Sequence, residues 1–321
     1  MDRSVLDQVR AACKAVAGQA RHVQINYDRI SAYAASLPLE QVRRPTHDPN
    51  THYLEHGDDT VAFFLTLDAI NFGSGYFPHL RKRPGMSGYF TIASSLMDYF
   101  EARGPLSPQR LTELTREDCA EVFGQDLNNA PICELMGLFA TALNDLGRYL
   151  LDRFEGSFVA LVHAASSSAE RLVQLLIQMP YFDDVSSCGD LRVPFYKRAQ
   201  ITSADLWIAF EGQGPGYFQD LDRLTMFADN LVPHVLRVDG ILWYEDDLAA
   251  QINAEQPLPA GSAEEVEIRA CALHAVELLH KALHGLGHEV PAMKLDYLLW
   301  NRGQEPYYKA RPRHRTRTVY Y

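Results

Sequence analysis

An aspartate closes the run Leu224-Thr225-Met226-Phe227-Ala228-Asp229, behind apolar and aromatic residues and just ahead of Val232-Pro233. Two chemistries suit a carboxylate there. It can cap the helix that the next residues begin. It can also serve as a catalytic carboxylate set against a ring-binding wall, where its charge would stabilise a cation developing in a substrate. Local spacing leaves both open and favours the cap slightly.

Other segments carry chemistry of their own. FYKRAQI (195–201) sets Lys197 and Arg198 between aromatic residues and a helical run, where two cations could hold a phosphate monoester. The plainer alternative is a solvated helix start. In LDYLLW (295–300), Asp296 and Tyr297 interrupt an apolar segment. A carboxyl there is costly unless paired or at a cap, so helix capping and hydrogen bonding to a ligand stand side by side. His280, His284 and His288 recur every four residues with His274 upstream. A pair at that spacing can share a metal, but HKALHGLGH lacks the glutamate of HExxH and glycines interrupt its end. Charges facing a helix C-terminus are the commoner explanation, and no metal site is assigned. EGQGPG has no strand before it and no Walker loop occurs, so neither supports a nucleotide-phosphate loop.

Helical periodicity dominates the elements that must position these residues. Helices are predicted at 4–19, 27–36 and 59–71, the last buried and entered through Asp58 or Asp59 as N-cap. A glycine-rich loop follows from Asn71. Further helices are predicted at 89–102, 107–113 (Ser107 cap, Pro108 in the first turn), 117–123, 132–153 and 157–178. The remainder fall at 197–211, 231–238, 245–253, 263–285 and, after Pro291, 292–301. Residues 191–196 could form a short strand, which Pro194 confines to an edge. The tail ARPRHRTRTVYY (310–321) is basic and extended. No repeat or sharp composition shift marks a linker, and the loop 256–262 is the best boundary. The expectation is one predominantly α-helical domain over 1–321, with room for two lobes.

Bulk composition narrows the function. A chain of 321 residues and 36.2 kDa can bury a large core. Its net charge of −11 and pI near 5.5 argue against a broad nucleic-acid surface, although a pocket for one phosphate needs only a few cations. Five scattered cysteines (13, 119, 133, 188 and 271) read as reduced thiols. The N-terminus lacks an apolar signal core, and no run is long enough to span a membrane. A cytoplasmic protein with neither membrane nor nucleic-acid partner is expected.

Taken together, SSSAERLVQLLIQMPYFDD (166–184), FYKRAQI, EGQGPGYFQDLDRLTMFAD (211–229), VEIRA (266–270) and LDYLLW resemble the queuosine salvage protein family. LDAINF (67–72) is a weaker echo. The members of this family are queuosine 5′-phosphate N-glycosylase/hydrolases. The resemblance implies an all-helical fold like that of helix-hairpin-helix DNA glycosylases, acting on a mononucleotide. Its activity would release queuine and ribose 5-phosphate from queuosine 5′-phosphate, with no metal or organic cofactor. Carried over by position, Asp229 is the catalytic carboxylate. Phe227, Asp296 and Tyr297 contact the base, and Lys197 with Arg198 takes the 5′-phosphate. His52 and Asn301 are further pocket residues.

The chain also departs from that pattern. It reads Asp229-Asn230-Leu231-Val232-Pro233 where relatives read Asp-Tyr-Arg-Val-Pro. His234 replaces a glutamine, Asn301 a second acid, and residues 71–75 a more aromatic segment. The reaction class is unchanged, while a related 7-deazapurine nucleotide or the nucleoside becomes an alternative substrate.

The implied chemistry suits these residue types. Breaking a ribosyl C–N bond develops positive charge on the sugar, which one carboxylate beneath C1′ stabilises or attacks. A 7-deazapurine offers no nitrogen at position 7 to protonate, so hydrogen bonds to its remaining polar edge must assist departure. Two other classes fit parts of the pattern. A helix-hairpin-helix DNA glycosylase would share the aspartate, and a catalytically silent base-binding protein would share the aromatic pocket.

Overall fold

Nearly every predicted helical run is a helix, and the ends follow local chemistry. A computed structural model describes residues 4–42 and 45–321. It opens with α1 (Val5–Gln19), β1 (Val23–Ile25) and α2 (Tyr27–Ser36), then a 3-10 turn at Leu39–Val42. The next helices are α3 (Asp58–Ala69), α4 (Gly88–Arg103), α5 (Pro108–Thr112), α6 (Arg116–Phe123), α7 (Ala130–Phe154), α8 (Phe158–Ala164) and α9 (Ala169–Leu176). The hairpin β2 (Val185–Cys188) and β3 (Leu191–Pro194) leads into α10 (Lys197–Ala209). Last come α11 (Leu231–Val238), β4 (Leu242–Tyr244), α12 (Asp246–Asn253), α13 (Ala263–Gly285), α14 (Ala292–Gly303) and α15 (Pro306–Lys309). The fold is predominantly α-helical, as expected.

The departures have identifiable causes. The run 157–178 is not one helix. Ser166 and Ser167 adopt left-handed conformations, and Asp220 holds the restart by accepting from Ser168 Oγ and the Ala169 amide, both at 2.6 Å. Asp58 and Asp59 do not cap α3. Gly57 does, at φ 56°, and the two acids occupy the first turn, where they favour the positive end of the helix dipole. Residues 191–194 form an edge strand that pairs with an unpredicted partner, Val185 opposite Pro194. β1 and β4 were also unpredicted. They pair antiparallel with Val23 opposite Tyr244, and the Glu267 carboxylate on α13 gathers the amides of Arg21, His22 and Val23.

Packing centres on helices that are buried nearly all round. From Thr60 to Ala69 every residue of α3 is buried, as are most of α10 and the first half of α13. Such a helix belongs to a core rather than to a surface. α10 lies on α3 and α9, while α13 is wrapped by α1, α2 and α14. Over them runs the tail after α15, extended but far from free. His314, Thr316, Thr318 and Tyr321 are buried. Arg315 accepts from the Leu258 amide at 2.8 Å, and Tyr321 from the Gly73 amide at 3.0 Å, through their carbonyls. The strap passes so close to Gly75 that a Cβ there would sit 2.2 Å from the Thr316 carbonyl oxygen.

One buried cation ties these pieces together. The guanidinium of Arg269 on α13 pairs with Asp184 at 2.6 Å and Glu265 at 3.5 Å. Its Nε donates to the Ala228 carbonyl at 2.9 Å, and its plane stacks on Phe195 and Tyr321. Burial works against its charge, yet Asp184 and Glu265 outweigh burial and raise its pKa. Asp184 in turn accepts from the Lys197 amide at the head of α10. Glu265 accepts from the Tyr321 hydroxyl. Replacing this cation by an apolar chain of similar length strands two buried acids. Arg269→Met is therefore expected to cost about 3–5 kcal/mol of stability, read by urea unfolding; a loss below about 1 kcal/mol would contradict the hub role.

Candidate active site

A cavity of about 760 Å³ opens between the α3–α4 loop, α10, the turn before α11, α14 and the strap. Its size is that of a small-molecule site. Asp229, Phe227, Asp296, Tyr297, Lys197, His52 and Asn301 all line it. Arg198 does not.

The turn carrying Asp229 is held from several sides. Gln200 accepts from the Thr225 amide at 2.9 Å, Asp296 Oδ1 accepts from the Phe227 amide at 2.9 Å, and Arg269 fixes Ala228. Asp229 Oδ1 then accepts from the amides of Leu231 and Val232, at 2.8 and 3.2 Å, at the start of α11. Its Oδ2 has no hydrogen-bond partner among the described residues. The two readings of this aspartate were not exclusive: one oxygen serves the helix, and the side chain still borders the cavity.

Around it stands an aromatic and acidic wall. The buried Phe227 ring and the half-buried Tyr297 ring meet edge to face, 6.4 Å apart at 89°, with Tyr89, Phe90 and Trp300 continuing the surface. Asp296 is buried, and desolvation together with the nearby charge of Asp229 pushes its pKa well above the carboxylate range. Tyr297 cannot donate freely, because its hydroxyl already bonds Asp205 Oδ1.

Behind the wall Asp205 and Asp68 form a buried pair. Desolvation lifts both, Asp205 to about 6, and the repulsion of Asp205 adds to the rise at Asp68. The Lys197 ammonium sits against this floor. Burial lowers its pKa, while Asp229, Asp68 and Asp205 hold its charge, and Nζ donates to the Asn71 carbonyl at 3.4 Å. His47 contacts the Asp205 carbonyl at 3.1 Å, and His52 Nε2 meets the Tyr89 hydroxyl at 3.0 Å. Burial drives both histidines down to about 4, so both are neutral near pH 7.

The remaining predicted residues separate. Arg198 points the other way: it donates to the carbonyls of Asp68, Ala69 and Tyr181 and stacks between Phe72 and Phe182. That arrangement does not fit a phosphate ligand. Asn301 is an exposed rim residue. His280 donates to the Val290 carbonyl and the exposed His284 faces Glu289 at 3.2 Å. Among the described residues no group of three His, Cys, Asp or Glu side chains is arranged for a metal, and no helix is long and apolar enough to cross a membrane.

Comparison with known proteins matches this arrangement to one family. The family model for the queuosine salvage protein matches residues 51–321. The chain is 37% identical to the queuosine 5′-phosphate N-glycosylase/hydrolase of Sphaerobacter thermophilus over 318 residues, covering 98% of this chain and 97% of that protein. It is 31% identical to the proteins of the same name from Mus musculus and Dictyostelium discoideum, over 97% and 98% of this chain and 98% and 99% of theirs. The chain belongs to the queuosine salvage protein family.

Within this queuosine salvage fold, several site residues escaped sequence reasoning. Asp205 in ITSADLW and Asp68 in FFLTLDAI are single acids in buried helical runs, the same signal that picked out Asp296. Arg269 is the matching cation in VEIRA. His47 and the strap arginines had no local signal, because distant segments bring them to the cavity.

The Asp205 titration gives a stability signature. Its pKa rises from 3.8 to about 6 on folding, so the folded state keeps a proton that the unfolded chain releases. That contribution is full below 3.8 and is lost as pH rises through about 6. His47 and His52 run oppositely, contributing above 6.5 and losing it as pH falls through about 4. Urea unfolding across pH should show the stability of the wild type relative to Asp205→Asn declining between 3.8 and about 6. A flat or rising difference would contradict the assignment.

Proposed function

We propose that this chain hydrolyses the N-glycosidic bond of queuosine 5′-phosphate, releasing queuine and ribose 5-phosphate for salvage of the base. The full-length relatives carry the name of that activity. The observation that carries the reading is the setting of Asp229. One of its oxygens is anchored on helix amides, and beside it stand an aromatic wall and the buried Asp296, whose pKa desolvation and Asp229 raise.

The base lies against Phe227 and the Tyr297 ring, which exclude water and strengthen each charge interaction. C1′ sits against Asp229. As the C–N bond lengthens, the sugar gains positive charge, and Asp229 stabilises this oxocarbenium-like centre or bonds to it. The electrons of the broken bond move onto the base. Asp296 meets a polar edge of that base as a hydrogen-bond partner, while its Oδ1 stays on the Phe227 amide. Tyr297, whose proton is committed to Asp205, supplies ring surface rather than a hydrogen bond. Water adds at C1′, breaking the bond to Asp229 where one has formed, and the proton it gives up passes to the departed base, which completes the hydrolysis. Lys197 balances the acidic floor. We place the reaction in the cytoplasm, where unpaired cysteines such as these stay reduced.

Incubation of the chain with queuosine 5′-phosphate, followed by mass detection of free queuine, tests the reading. Asp229→Asn keeps a carbonyl oxygen for the α11 amides, so it should fold normally. It is expected to lose at least about a hundredfold in base release. Near-wild-type turnover in that variant would remove Asp229 from the chemistry.

A further inference from the structure

Asp205 on α10 is a buried acid that the fold itself does not need. It is 2% exposed, and burial raises its pKa to about 6. Its one ion-pair neighbour among the described residues is His47 at 4.0 Å. That histidine is neutral near pH 7 and turns Nε2 to the Asp205 backbone carbonyl at 3.1 Å, a contact any residue at 205 would offer. A second buried acid, Asp68, feels the repulsion of Asp205, and the charge of Lys197 is shared among Asp229, Asp68 and Asp205. Burying a carboxylate without a cation of its own is costly.

What this carboxylate does hold is a phenol. The Tyr297 hydroxyl donates to Asp205 Oδ1, joining α14 to α10 across 92 positions of sequence. α14 packs on α11 and α13, and Tyr297 borders the cavity with its ring only half-buried. A ring so placed can change rotamer unless its far end is fixed. Phe227 meets it edge to face at 6.4 Å, and Asp205 takes the hydroxyl. A neutral acceptor would satisfy that hydroxyl, whereas an ionised one holds it roughly twice as strongly. The acid thus supplies rigidity at a place where the fold alone would be served by an amide.

We propose that Asp205 is a positioning residue for the base: through the Tyr297 hydroxyl it holds that ring square to Phe227, so that the wall is rigid before the nucleotide arrives. The proposal rests on the reading above that the base lies against Phe227 and Tyr297. A wall already ordered spares the ligand the entropy of immobilising a side chain on binding. It also keeps the base, and with it C1′, in register with Asp229, where a small misplacement is expensive in rate. Asp205 need not touch the ligand to do this, and its effect should vanish when the phenol oxygen is removed.

The test is a double-mutant cycle read in the affinity for free queuine, titrated calorimetrically into the wild type, Asp205→Leu, Tyr297→Phe and the double variant. Each single variant should weaken queuine by about three- to tenfold, the ordering cost of one side chain, and the double variant by no more than either. Asp205→Asn keeps an oxygen for the phenol and should recover most of the loss. Losses that multiply in the double variant would overturn the proposal, because Asp205 would then act by a route other than Tyr297. An Asp205→Asn variant as weak as Asp205→Leu would overturn it too. Release of queuine from queuosine 5′-phosphate by the wild type is followed in parallel. Release together with multiplying losses defeats the positioning role and leaves the hydrolase reading standing; no release, with the cycle still coupled, does the reverse. Should Asp205→Leu fail to fold, Asp205→Ala carries the same cycle.

Discussion

The buried guanidinium of Arg269 is the contact on which the site's geometry depends. It joins parts of the chain that are far apart in sequence: Asp184 before the β2–β3 hairpin, Ala228 beside the key aspartate, Glu265 on its own helix and Tyr321 on the strap. An unpaired charge in such a place would be prohibitive, so each of these partners must arrive together. That requirement sets the position of the turn at 227–229 without any side chain of the turn itself being consumed. Asp229 therefore serves the start of α11 with one oxygen while its side chain borders the cavity.

The charge layout of the cavity follows from burial. The pKa values of the buried acids Asp68 and Asp296 are raised because desolvation and neighbouring acids oppose their ionisation. Lys197 is the cation that the floor itself requires. At the mouth the sign reverses, with Arg313, Arg315 and Lys82 gathered where solvent still reaches.

Much of this was legible in the chain, and the failures are physical. Long amphipathic or wholly apolar runs announced themselves, and α13 begins and ends where its periodicity said. The strands did not, because β1 and β4 are three-residue pieces made stable by pairing across the chain and by Glu267. The break at Ser166 and Ser167 depends on Asp220, which no local window contains. Lys197 and Arg198 looked like one phosphate clamp since they are adjacent. On a helix, however, adjacent residues point about 100° apart, so both cannot face one ligand. The alternation RHRTRT at 313–318 was visible as basic character alone; its two-residue period became meaningful only once the strap was seen to be half buried.

The most direct measurement of the whole arrangement is a crystal structure of the Asp229→Asn variant holding intact queuosine 5′-phosphate. The account predicts the base against Phe227 with Asp296 on its polar edge, and C1′ over the side chain at position 229. A nucleotide bound in the reverse sense, or with C1′ out of reach of position 229, would contradict it.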